Sequence, residues 1–381
     1  MKQQLERAGS RPLRGILDLR PCGELTKTGF FALYRVNVDL LLAHAHRFEE
    51  LEVLGDPQEY LDPTFRLPDS LPHLKKLTIG NDKMWKEPDF EGRYLFKNAP
   101  QLRHLQLRDL ARTLRSPMFL PWSQLQTLEI SKSPVTLPAL MEILALTTEL
   151  SSLSLIRPQI TATIEPPPSD MVVLPKPENL SLIHRQRDTP NAESLEELNA
   201  LFKAPTLRTL HAIQDGIGAV YMYSFILHSK SLASLSSVTL HCPFVFLAET
   251  MDAFAAPFSE MHALEELVLK NTPNYEDHEF IVSADELLVV LEHQACPRLK
   301  RLEVCGFDVT PDVLWGTVET RLVGVPSPHS DDGRTVQKMI VMYNCFTRIG
   351  GKSGCNSLNS LQRVCDAGLL TLSVDLPLAT R

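Results

Sequence analysis

The repeating unit of this chain is clearest in the stretch Cys296-Pro297-Arg298-Leu299-Lys300-Arg301-Leu302-Glu303-Val304. Positions i, i+3 and i+5 of this frame are apolar, and here they hold Leu299, Leu302 and Val304. Clear copies of the frame begin at Phe48, Leu74, Leu102, Leu125, Leu150, Leu207, Leu235 and Leu264. Weaker copies lie at Leu17/Leu19, Leu180/Leu182, Val336/Met339/Val341 and Leu369/Leu372/Val374. Four copies share a proline two residues before the first leucine: Pro72, Pro100, Pro205 and Pro297. Nine clear copies, four of them with a common lead-in, indicate a repeat protein.

Each frame predicts a short strand whose alternate residues face the interior. In the second copy, Leu77 and Ile79 should point inward, and Lys76 and Thr78 outward. One such strand cannot bury its apolar side alone, but stacked copies can. We therefore predict an α/β fold, an irregular leucine-rich-repeat solenoid or horseshoe. Its parallel sheet should line the concave face and its helices the convex face.

The segments between frames predict the helices that return the chain. Residues 137–146 place apolar side chains on one helical face. Ser283-Ala284-Asp285-Glu286 is typical of a capping box, and Thr310-Pro311 of a helix start with proline in the first position. The ninth position of the frame, where leucine-rich repeats commonly carry Asn, holds no asparagine in the nine clear copies. We expect some turns to be closed by Asp, Ser or Thr instead.

Composition and charge limit the function classes. The chain has 381 residues and a net charge of -8, and the absence of basic clusters argues against a nucleic-acid or membrane-surface binder. The amino terminus lacks the apolar core of a secretory signal, and no apolar run is long enough to span a membrane. Seven scattered cysteines indicate reduced, mostly buried thiols. We expect a cytoplasmic or nuclear monomer.

The repeats also suggest a domain organisation. Residues 1–47 are predicted to form an amino-terminal cap with the first repeat region, and residues 48–381 the solenoid. Two irregular stretches interrupt it: the proline-rich residues 157–191 and the loop 321–334.

The first fifty residues carry a family resemblance. The segments Leu5–Leu13, Leu17–Leu19 and Leu40–Leu51 resemble the region that follows the F-box in large F-box/leucine-rich-repeat families of mushroom-forming fungi. Those families usually have tryptophan at the position of Phe48, so this chain departs there. The resemblance implies substrate recognition for an SCF-type ubiquitin ligase. Only four residues precede Leu5, so we expect the F-box to be absent from this chain. A Skp-type adaptor is expected as a partner only if an F-box exists upstream.

Candidate catalytic and metal motifs fail on spacing. Ile349-Gly350-Gly351-Lys352-Ser353 resembles the end of a phosphate-binding loop, but Phe346 stands where its first glycine is required. Asp277-His278-Glu279 is the most plausible cation contact, yet adjacent polar residues in a loop are usually solvated. We predict no catalytic residue, no cofactor and no metal, and we rank an enzyme third among the functions considered.

The predicted working surface is the outward side of the strands. Its candidate partner-binding residues are Lys76, Thr78, His104, Gln106, Thr127, Glu129, Thr209, His211, Glu266, Arg301 and Glu303. This set is polar and mixed in sign, which suits a protein partner. We predict a non-catalytic protein-protein interaction module, with a ligase-independent scaffold or regulator as the alternative.

Overall fold

The computed structural model of the chain describes residues 7–18, 43–54, 71–80, 98–110, 120–161, 172–184, 202–214, 231–242, 256–271, 283–292, 295–320, 338–343 and 370–374. The chain divides into two units, Met1–Pro177 and Glu178–Arg381. Both are built on parallel strands with few helices, so the fold is mixed α/β, as predicted. The predicted boundary between residues 47 and 48 stays a prediction, and the predicted loop 321–334 lies outside the described residues.

The first unit contains a parallel sheet in which neighbouring strands come from successive repeats. The described strands of this unit are β1 (Leu13–Asp18), β2 (Phe48–Leu54), β3 (Lys76–Gly80), β4 (His104–Arg108), β5 (Thr127–Ser131), β6 (Pro134–Thr136), β7 (Ser152–Ile156), β8 (Gln159–Thr161) and β9 (Val172–Val173). In the sheet, β1, β2, β3, β4, β5 and β7 pair in that order, all parallel. The short strands β6 and β8 pair with each other, also in parallel.

The second unit repeats this arrangement. Its described strands are β10 (Asn179–His184), β11 (Phe202–Lys203), β12 (Thr209–Gln214), β13 (Ser237–Cys242), β14 (Glu266–Asn271), β15 (Arg301–Phe307), β16 (Lys338–Tyr343) and β17 (Leu370–Val374). Except for β11, these strands pair in chain order and in parallel. The weak frame at Leu180 forms β10, so the proline-rich range 157–191 contains strands. The frame assigned at Leu369 was wrong by two residues, because Leu370, and not Leu372, lies opposite Met339.

The frame residues form the core, in the predicted register. Leu77 lies opposite Leu105, which lies opposite Leu128 on the next strand, and all three are fully buried. The first frame residue is preceded by a tight turn, in which its amide donates to the carbonyl three residues earlier. Leu102 donates to Ala99 in this way, at 3.0 Å, and both are buried. The proline of the lead-in therefore lies within this turn, and the residue before it, such as Ala99, adds a second buried side chain to the repeat.

Three helices lie in the described part of the chain: α1 (Leu137–Leu146), α2 (Asp285–Glu292) and α3 (Pro311–Val318). The predicted bounds of α1 are confirmed, and so is the start of α3, with Thr310 as its amino-terminal cap and proline in its first turn. The capping box predicted for α2 is wrong. Its Ser283 hydroxyl accepts from the amide of Asp285, and the Asp285 carboxylate binds the amide and hydroxyl of Thr310.

The turns that follow the strands share an unusual backbone conformation. The eighth residue of the frame has a positive φ at Asp109 (47°), Lys132 (47°), Arg157 (49°) and Gly306 (78°). The amides of Asp109 and Lys132 donate to the carbonyl that ends the next strand, at 2.9 and 2.7 Å. The left-handed conformation, which is uncommon outside glycine, aims each of these amides at the neighbouring repeat.

Ser133 performs the predicted closing role at the ninth position of its frame. It is fully buried, and its hydroxyl accepts from the amide of Leu110 at 3.2 Å and donates to the carbonyl of Ser131 at 2.8 Å. The expectation that a serine would replace the usual asparagine is confirmed at this turn. One asparagine also bridges repeats, one position earlier in its frame: the Asn271 side chain donates to the Gly306 carbonyl at 2.8 Å.

Candidate partner-binding surface

The side chains that point away from the leucines form a surface in each unit, called here the polar face. In the first unit, two of its rows cross the strands in register at positions i+2 and i+4 of the frame. The first row is Arg14, Glu50, Lys76, His104, Thr127 and Ser152, and the second is Ile16, Glu52, Thr78, Gln106, Glu129 and Ser154. The six candidate residues predicted in this unit all lie in these rows. The parallel register therefore brings them together, because it repeats the same frame position on every strand.

The second row is tied together by hydrogen bonds from strand to strand. The Thr78 hydroxyl donates to Oε1 of Gln106 at 3.1 Å, and Nε2 of Gln106 donates to Oε2 of Glu129 at 3.0 Å. Nε of Arg108 donates to the other oxygen of Glu129 at 3.3 Å. Thr78 was expected to be exposed, but only 5% of it is.

The first row is more loosely connected. Nδ1 of His104 lies 3.0 Å from the Thr127 hydroxyl, and Arg14 pairs with Glu50 at 3.2 Å. These groups are largely exposed, so each contact contributes little to stability. Their effect is to hold side chains in place on the surface.

The polar face of the second unit has the same construction. Its first row includes Thr209, Ser237, Glu266 and Arg301, and its second row includes Ser181, His211, Thr239, Val268 and Glu303. The five candidate residues predicted in this unit all lie in these rows. Strands β12 and β13 carry hydroxyl and imidazole groups in the two rows, whereas β14 and β15 carry most of the charge.

Glu303 is the centre of an ion-pair network on β14 and β15. Its carboxylate contacts Lys270 and Arg301, each at 2.8 Å, although its side chain is only 9% exposed. Arg301 also pairs with Glu266, which accepts a hydrogen bond from Ser237 at 3.2 Å. A buried carboxylate is costly unless cations and hydrogen bonds surround it, and this network supplies both.

The network changes the ionisation of Glu303. Burial raises the pKa of the Glu303 carboxyl, but hydrogen bonds and charges from Lys270 and Arg301 outweigh this and leave the pKa below its usual value. At neutral pH the group is therefore a carboxylate. His211 behaves differently, because burial lowers the pKa of its imidazole. The lowered pKa favours the neutral ring at pH 7.

Two contributors, Arg108 and Lys270, were not predicted, because only positions i+2 and i+4 were expected to carry the binding residues. Both lie at i+6 of their frames, Arg108 as the last residue of β4 and Lys270 as the penultimate residue of β14. Both contact a glutamate of the second row. The signal was available, since i+6 lies on the same side of a strand as i+4.

The other sequence features, namely metal ligands, membrane spans and cysteines, lie partly within the described residues. Within the described ranges, no group of three or more His, Cys, Asp or Glu side chains could hold a metal ion. The same ranges contain no helix of the length and apolarity needed to cross a membrane. Asp277-His278-Glu279 and the glycine-rich residues 349–353 lie outside them. Cys296 is a buried thiol, as expected, whereas Cys305 is partly exposed.

Comparisons with known proteins do not assign this surface to a family. No protein-family model matches the chain, and no curated protein matches it.

Proposed function

We propose that this chain is a non-catalytic protein-protein interaction module whose polar face binds another protein. The observation that carries the proposal is the in-register polar face itself, with side chains already linked from strand to strand. In the full proposal, the repeats form a leucine-rich-repeat horseshoe and the polar face lines its concave side.

The contacts within the polar face favour binding of a folded or extended protein. Fixing a long side chain at an interface costs about 0.5–1.5 kcal/mol, and Gln106, Glu129 and Arg301 are already held by neighbours. The face also mixes both signs of charge with hydroxyl and amide groups. Such a surface offers a protein partner complementary donors and acceptors.

The resemblance of residues 5–51 to fungal F-box/leucine-rich-repeat proteins supports a more specific proposal. In that proposal the module is the substrate-recognition part of an SCF-type ubiquitin ligase, working in the cytoplasm or nucleus. A Skp-type adaptor would be a partner if an F-box lies upstream. The second candidate is a scaffold or regulator that acts without a ligase, which the same polar face supports equally.

The test is purification of the tagged chain from its own cells, with co-purifying proteins identified by mass spectrometry. Thr209→Arg places a large cation on the polar face, and Val289→Arg places the same group on the partly exposed surface of α2. Thermal melts should first establish that both variants fold. We expect Thr209→Arg to lose partners that Val289→Arg keeps. Identical partner sets for the two variants and the wild type would contradict binding at this part of the polar face.

The identity of the recovered proteins separates the two candidates. Recovery of a Skp-type adaptor and a cullin would support the ligase proposal. Recovery of other proteins without them would support the scaffold.

A further inference from the structure

Two cations of the first unit's polar face have hydrogen-bonding capacity that the described chain does not use. Lys76 makes no hydrogen bond or ion pair with any described residue. Arg108 contacts Glu129 through Nε alone, and its side chain is 45% exposed. Neither of its Nη groups has a partner among the described residues. Both Nη groups and the Lys76 ammonium are therefore available as donors.

The nearby acceptors, by contrast, are already occupied. Glu129 receives Gln106 on one oxygen and Arg108 on the other. Oε1 of Gln106 receives the hydroxyl of Thr78. Strands β3 and β4 therefore offer a partner mainly donors, two of which carry full positive charge.

The second unit provides an internal comparison. There, the polar-face cations Lys270 and Arg301 both bind carboxylates, and Arg301 uses both of its Nη groups. In the first unit, Arg14 is likewise paired with Glu50. Lys76 and Arg108 differ from these cations, because Nζ of Lys76 and the Nη groups of Arg108 bind no carboxylate of the described residues.

The two cations are spaced along the strands. Lys76 lies opposite His104, and Arg108 is four residues further along the same strand as His104. At about 3.3 Å per strand residue, the two side chains start about 13 Å apart along the strand direction. An extended segment covers that distance in about four residues.

We propose that the polar face of β3 and β4 binds an extended, acidic segment of another protein, with carboxylates placed against Arg108 and Lys76. This inference rests on the proposed function and names the class of partner. Carboxylates are acceptors without donors, and they match the fork of an arginine. Acidic residues about four apart would reach both cations.

The charge of the surroundings argues for a protein segment over other anions. Glu50 and Glu52 lie on β2, directly beside this site, and the whole chain carries a net charge of -8. Both disfavour a ligand with continuous negative charge, such as a nucleic acid, whose phosphates follow one another along its length. A protein segment can instead place single carboxylates at Lys76 and Arg108 and uncharged residues beside Glu50 and Glu52.

The test is selection of a random peptide library, displayed on phage, against the full chain. We expect enriched peptides to contain more Asp and Glu than the input library. The best peptide is then synthesised, and its affinity is measured by fluorescence anisotropy. The double variant Lys76→Gln with Arg108→Gln should bind it at least about tenfold more weakly, because each loses a charge-assisted contact. The matched control is Lys176→Gln with Arg298→Gln, which removes the same charge from exposed positions outside the polar-face rows and should bind as the wild type does.

Other results would overturn the inference in distinguishable ways. Enriched peptides without acidic residues, or acidic peptides that bind both double variants equally, would contradict this site and leave the proposed function standing. Enrichment of no peptide at all would contradict an extended partner at this site, and the co-purification experiment would decide separately whether the polar face binds a folded protein. A mixed-sequence oligonucleotide that binds more tightly than the selected peptide, and loses binding in the Lys76 and Arg108 variant, would replace the protein partner with a nucleic acid.

Discussion

Substitution of Ser133 by alanine tests whether buried side-chain contacts close the turns between repeats. Ser133 is fully buried, and its hydroxyl is the acceptor for the amide of Leu110, which is itself buried. The Ser131 carbonyl would remain satisfied, because it also accepts the amide of Asp109 at 2.9 Å. The cost therefore falls mainly on one amide that water cannot reach. A buried donor left without a partner costs about 1–3 kcal/mol, so we expect Ser133→Ala to lower the free energy of unfolding by about 2 kcal/mol.

The assay is urea denaturation followed by circular dichroism, with Ser151→Ala as the matched control. The Ser151 hydroxyl also donates to a backbone carbonyl, that of Gln126 at 3.0 Å, but the contact is exposed to solvent. Its loss should cost less than about 0.5 kcal/mol. Equal costs for the two variants, or no cost for Ser133→Ala, would refute the role assigned to the buried hydroxyl.

Three further predictions concern stability. Gly306→Ala would place a Cβ 2.4 Å from the Asn271 carbonyl oxygen, at a residue with a positive φ. It should destabilise the chain by about 2 kcal/mol more than Gly9→Ala, where φ is also positive but no atom lies near the new Cβ. Equal urea midpoints for the two variants would contradict this. Glu303→Gln should reduce stability at neutral pH. The folded pKa of Glu303 is lowered, so the difference in free energy of unfolding between wild type and variant should be fully present above the unfolded pKa of about 4.3. It should disappear as the pH falls through the folded pKa. Urea curves from neutral to acidic pH in which this difference stays constant would exclude the ion pairs as its cause. Leu105→Asp puts a charge at a fully buried frame position, and its thermal melt should lose cooperativity or shift strongly downward; an unchanged melt would refute the assigned register.

The sequence predicted the strands because their signal is local and repeated. The frame predicts that Leu102, Leu105 and Leu107 face inward, and all three are buried in the structure. The same pattern placed Gln106 and Glu129 on one surface, since parallel strands in constant register align equal frame positions. What these residues bind is not encoded in the frame, and that part of the prediction stays a prediction.

Failures of prediction arose where the partner of a residue is distant in sequence. The capping box at Ser283 was wrong because the Ser283 hydroxyl accepts from the amide of Asp285 and not from that of Glu286, while the Asp285 carboxylate bonds to Thr310, 25 residues away. Glu303 was expected at the surface, but two cations and neighbouring strands cover it. The left-handed turn at Lys132 also has no local sequence signal, because its amide is aimed at a carbonyl of the next repeat.

The strands keep the same register although the number of residues between repeats varies. Insertions and deletions should therefore have different effects within strands and between them. Residues that touch across neighbouring strands are 23 apart for His104 and Thr127, 28 for Thr78 and Gln106, and 35 for Glu266 and Arg301. The sheet therefore accepts connections of very different lengths. A single residue inserted within a strand would instead turn its leucines toward solvent and its polar residues into the core. Connections of different length are compatible with the same register, so epitope tags and spectroscopic labels belong between strands, away from the helices and from buried turns such as that at Ser133.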